Sequence, residues 1–85
     1  MNLKQLWNKI LEKEGETFYT KTGLPFTFVK VDYEKIRIYR NDKTVGYVSI
    51  NNIDFILNNP NLDRHQYRDV MATSSYALAL YKTIN

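Results

Sequence analysis

At 85 residues the chain has room for one domain, residues 1–85, which on folding buries roughly 64% of its unfolded surface, enough for one core without staples. Apolar residues at 44% and aromatics at 14% exclude intrinsic disorder, and the lack of cysteine excludes a disulfide framework, a thiolate nucleophile and a zinc ribbon. The net charge of +3 lies wholly in residues 17–48, where Lys21, Lys30, Lys35, Arg37, Arg40 and Lys43 outnumber Asp32, Glu34 and Asp42.

Leu3, Leu6, Trp7, Ile10 and Leu11 recur at helical spacing and predict an N-terminal helix with one apolar face. Asn2 suits its N-cap, and Gly15 suits a left-handed residue just past its end. Thr17-Phe18-Tyr19-Thr20 then reads as a short strand, followed by turn chemistry at Thr22-Gly23-Leu24-Pro25. A second strand is expected over residues 26–31, a turn at Asp32-Tyr33-Glu34-Lys35, and a third strand over 36–40. In that third strand Ile36 and Ile38 alternate with Arg37 and Tyr39, so the isoleucines point inward and the other two outward. Asn41-Asp42-Lys43 makes the next turn, and residues 45–48 return as a fourth strand.

From Ser49 the period becomes helical. Ser49 caps a helix whose stripe is Ile50, Ile53, Ile56 and Leu57, ended by Asn58-Asn59-Pro60. Ala77, Leu80, Tyr81 and Ile84 define a last helical face. Tyr67, Val70 and Met71 either extend that stripe or form a separate turn; the break is preferred at Thr73-Ser74-Ser75, where three hydroxyls compete for backbone hydrogen bonds. The expected fold is α+β: an N-terminal helix, an antiparallel meander of three or four strands, and two or three C-terminal helices on one sheet face. The expected core is Leu6, Trp7, Ile10, Phe26, Phe28, Ile36, Ile38, Val48, Ile53, Leu57, Leu80 and Ile84.

The stretch Phe18-Tyr19-Thr20-Lys21-Thr22-Gly23-Leu24-Pro25-Phe26-Thr27-Phe28, with Ser75-Tyr76-Ala77-Leu78-Ala79-Leu80 near the C-terminus, resembles a group of small uncharacterised prokaryotic and phage proteins. The resemblance spans most of the chain from Thr17 onward. It departs from the pattern at Thr73-Ser74, where that group has a glycine before the Ser-Tyr pair, and it implies no activity, cofactor or site residue. The weight of Asn, Lys, Ile and Tyr, whose codons are AT-rich, fits a low-GC bacterial or phage source.

Several constellations bear on chemistry. His65 has Asp69 one helical turn away, and Ser74 or Ser75 could serve as a nucleophile only on a strained turn. The Gly-x-Ser-x-Gly pattern of such a turn is absent, so His65 reads as a surface residue near a helix start. Glu12, Glu14 and Glu16 occupy alternate positions that diverge on a helix, and they read as a solvated helix end instead of a metal site. Asp32-Tyr33-Glu34-Lys35 has the residue types of a metal nuclease in the wrong spacing, and Gly15, Gly23 and Gly46 are too isolated for a phosphate loop. No catalytic set, metal or cofactor is therefore expected.

No apolar run approaches the roughly 20 residues that span a bilayer, and Met1-Asn2-Leu3-Lys4 does not begin a signal peptide, so a cytoplasmic protein is expected. What remains is the hairpin surface. Arg37 and Tyr39 share a strand face and Tyr47 stands across from them, with Lys30, Lys35, Arg40 and Lys43 at strand ends and turns nearby. Interleaved aromatic and basic side chains on a sheet stack bases and hold phosphates, which makes nucleic acid the first expected partner. Tyr and Arg also mark protein hot spots, so a small regulator or inhibitor acting on a host protein is the alternative.

Overall fold

The protein is described by a computed structural model that covers residues 2–84. Its elements are α1 (Leu3–Leu11), β1 (Phe18–Tyr19), β2 (Pro25–Asp32), β3 (Lys35–Arg40), β4 (Lys43–Ser49), α2 (Ile50–Asn58), α3 (Arg64–Val70) and α4 (Ser74–Ile84). This is the expected α+β order. The sheet is an antiparallel meander, β1-β2-β3-β4.

The helix starts follow from side chains that replace missing backbone partners. Asn2, Ser49 and Asp63 each accept the N–H three residues on, while the side chains of Gln5, Asn52 and Gln66 reach back to the capping residue's own N–H. The α1 helix closes at Leu11, well before Gly15, because residues 12–15 leave the helix as turns that carry the chain back to the sheet. Gly15 instead donates its N–H to the Phe28 carbonyl at 3.4 Å, and the Glu14 carboxylate accepts the Lys30 N–H at 2.6 Å. The break before α4 falls in the hydroxyl run: Thr73 accepts the Tyr76 and Ala77 amides on its carbonyl, and its hydroxyl donates to the Tyr47 carbonyl at 2.6 Å.

The two long hairpins have different turns. Asp32 Oδ1 accepts the Glu34 N–H at 2.8 Å, a side-chain mimic of a backbone turn. Asn41 and Asp42 both take positive φ, 51° and 63°, as a two-residue hairpin loop closed by the Arg40–Lys43 pair requires. A register shift between Ile38 and Tyr39 leaves Val45 as an extra residue in β4, next to Gly46 at φ 151°.

All four helices lie on one face of the sheet. Phe26, Phe28, Ile36, Ile38 and Val48 project from that face into a single cluster with Leu6, Trp7, Ile10, Ile53 and Leu80. Trp7 is fully buried and its Nε1 donates to the Tyr33 carbonyl at 2.5 Å, tying α1 to the β2–β3 turn. Two expected core positions are corrected: Leu57 and Ile84 are only half-buried. In α2 the buried positions are Ile53 and Ile56, three residues apart, with Ile50 packed beside them, and Leu57 lies a further 100° around the axis. Phe18, Tyr67, Met71 and Ala77 complete the core, whereas Val70 is exposed. The Tyr67 hydroxyl donates to the Asn59 carbonyl, which anchors the short α3 to the end of α2. Among the described residues no helix is long and apolar enough to cross a membrane.

Candidate functional site

The face of the sheet away from the helices is open. Cross-strand register places Val29, Arg37 and Tyr47 in one row and Thr27, Tyr39 and Thr44 in the next, with Lys35 one pair further toward the β2–β3 turn. Period-two alternation puts Thr27, Val29, Lys35, Arg37, Tyr39 and Tyr47 opposite the buried row of Phe28, Ile36, Ile38 and Val48, and the extra residue Val45 turns Thr44 to the same open side. Val29, Val31, Val45 and Tyr47 are all exposed large apolar side chains.

Four of the seven residues expected at the hairpin surface meet here. The Tyr47 ring has Lys35 Nζ 5.0 Å and Arg37 Cζ 5.5 Å from its centroid, both within cation–π range. Arg37 Nη1 donates to the Tyr39 hydroxyl at 3.3 Å. That bond holds the Tyr39 phenol below the ordinary tyrosine range, and Tyr39, then Tyr47, raises the guanidinium of Arg37 above its already high value. Arg37 is half-buried; its Nε is covered and has no hydrogen-bond partner among the described residues, so the side chain is held by its neighbouring rings. Two tyrosines and two cations thus form one pre-ordered patch with no carboxylate among them.

The other three residues are elsewhere. Lys30 pairs with Ile36 in register and so belongs to the helix side, where its N–H meets Glu14. Arg40 crosses to that same side and donates from Nη1 to the Tyr76 hydroxyl at 3.3 Å, while Tyr76 packs edge-on against Phe26 at 5.0 Å. Lys43 opposes Arg40 at the hairpin tip. Strand parity in the sequence carried this signal: Arg40 is two residues from Ile38, and Lys30 two from Phe28, each on the core-facing phase.

Of the residues weighed for catalysis, His65 is exposed in the first turn of α3 and Ser74 is buried at the start of α4. Among the described residues no three His, Cys, Asp or Glu side chains come together as a metal-binding group. Comparison with known proteins finds no match: neither a family model, nor a curated protein, nor a solved structure is significantly similar to this chain.

Proposed function

We propose that the protein binds single-stranded nucleic acid across the open face of its sheet. The observation that carries this reading is the clustering of Tyr47, Tyr39, Arg37 and Lys35 on one solvent-facing patch, with cations already seated against the Tyr47 ring. Bases stack on such rings whatever their sequence, and adjoining cations meet the backbone. A flat platform of this kind favours unpaired strands, because a duplex keeps its bases stacked on each other.

With two cations on the face, two phosphate contacts are expected. Log affinity then falls against log salt with a slope of about −1.4 for single strands, against about −2.8 if Arg40 and Lys43 also took part. Fluorescence anisotropy with labelled single strands and duplex at several salt concentrations tests this. Tyr47→Ala is expected to lose about 1–3 kcal/mol on single strands and little on duplex. Failure of the well-folded protein to bind either at low salt refutes the reading.

The exposed valines, Val29, Val31 and Val45, favour a second reading, a protein partner on the same face. Apolar contacts respond weakly to salt, so a pull-down from a bacterial host lysate that survives both nuclease and high salt supports this partner over a strand.

A further inference from the structure

We infer that the groove between the β1 edge and helices α3 and α4 is a binding site for a mononucleotide phosphate, distinct from the open sheet face. The groove is a cavity of about 220 Å³ lined by Tyr19, Lys21, Arg64, Ser75, Leu78 and Lys82, among others. Three different elements bring its cations together. Lys21 comes from the β1–β2 turn, Arg64 opens α3, and Lys82 stands in the last turn of α4. Among the described residues no carboxylate lines the groove. Among the described residues none of the three has an ion-pair partner, and the pair that does form, Lys13 with Glu16, lies elsewhere. Like charges gathered round a concave, partly apolar surface focus a positive field, and an anion relieves their mutual repulsion.

The chemistry of the walls narrows the anion. Three cations exceed what one carboxylate neutralises, whereas a phosphomonoester carries about −1.5 to −2 at neutral pH. Arg64 offers a planar fork to two phosphate oxygens, the lysines act as point charges, and the Ser75 hydroxyl adds a neutral donor. Leu78 and the exposed Tyr19 ring supply an apolar wall that a bare inorganic ion leaves unused and a flat base covers. The volume lies below the roughly 300–1,000 Å³ of pockets for drug-sized ligands, which fits a phosphate with one ring system lying partly outside.

Calorimetric titration of the full chain with AMP, adenosine and inorganic phosphate tests the site. AMP is expected to saturate, with adenosine and phosphate each about tenfold weaker or worse. Arg64→Gln with Lys82→Gln, both at exposed positions, is expected to weaken AMP about tenfold or more at an unchanged melting temperature; Lys21→Gln, in a turn, provides the same reading if that pair fails to fold. Arg37→Glu, which disables the sheet face, is expected to keep AMP affinity, so the two sites fail separately. In that background, 5′-phosphorylated and 5′-hydroxyl forms of one oligonucleotide identify the source. Preference for the phosphorylated form assigns the phosphate to a strand end, and no preference assigns it to a free nucleotide. The inference is overturned if AMP shows no saturable binding, if adenosine binds as well as AMP, or if the Arg64 and Lys82 substitutions leave affinity unchanged.

Discussion

Gly46→Ala is the substitution whose cost can be worked most directly from the structure. Gly46 stands at φ 151°, a conformation that side-chain-bearing residues rarely adopt, and a Cβ built there lies 2.6 Å from Thr73 Cγ2. A sparsely populated backbone conformation costs about 1–3 kcal/mol, and overpacking at a filled site about 1–3 kcal/mol more. Thr73 has little freedom to retreat, since it is buried and its hydroxyl is bonded to the Tyr47 carbonyl. The expected loss is therefore about 2–6 kcal/mol, in a domain whose whole stability, at about 0.05–0.15 kcal/mol per residue, is roughly 4–13 kcal/mol. Thr73→Ser separates the two contributions, because it removes Cγ2 and keeps the hydroxyl. In that background Gly46→Ala should cost only the backbone part, leaving a coupling of about 1–3 kcal/mol between the sites. Urea unfolding followed by Trp7 fluorescence measures all four proteins, with midpoints that shift at a constant slope. Equal cost of Gly46→Ala in both backgrounds refutes the contact, and a cost under about 0.5 kcal/mol in the parent chain refutes both contributions.

Three further outcomes are expected. Trp7→Ala should cost about 3–5 kcal/mol by urea unfolding, and Trp7→Phe less, since it mainly forfeits the hydrogen bond to the Tyr33 carbonyl. Following phenolate absorbance with pH, Tyr39 should ionise ahead of an ordinary tyrosine and return to the ordinary range in Arg37→Gln. Because its folded-state value is lowered, Tyr39 adds stability as pH rises through that value toward the unfolded one near about 10, and none at neutral pH. His65→Ala should leave strand affinity, measured by anisotropy, within a few-fold, as His65 is exposed on α3 and away from the open face.

Much of this architecture is legible in the sequence. Strict alternation at Ile36-Arg37-Ile38-Tyr39 separated the two faces of β3, and Ser49 marked the switch from strand to helix. The break at Thr73-Ser74-Ser75 was also readable, because adjacent hydroxyls favour caps over helix interior. Less legible was the inner phase of α2. Ile56 and Leu57 are adjacent and equally apolar, so only the elements packed against α2, which are α1, β4 and α4, decide which one is buried. The seat of Arg40 depends on Tyr76, 36 residues away, and the Gly46–Thr73 contact on a bulge that no local pattern announces. Long-range partners of this kind also assembled the cationic groove, whose Lys21, Arg64 and Lys82 are far apart along the chain.

The bonds that Glu14 and Thr73 make have a consequence for how this molecule behaves at high concentration. Strand margins with free amides and carbonyls are templates onto which further chains add, and stacks of such chains grow into fibres. On the β2 margin the Glu14 carboxylate occupies the Lys30 amide and the Gly15 N–H occupies the Phe28 carbonyl; on the β4 margin the Thr73 hydroxyl occupies the Tyr47 carbonyl. An incoming strand finds each ladder interrupted at mid-length, which disfavours sideways addition. The broad face, valines and tyrosines included, is thus flanked on β2 and β4 by margins that offer no unbroken ladder to a further chain.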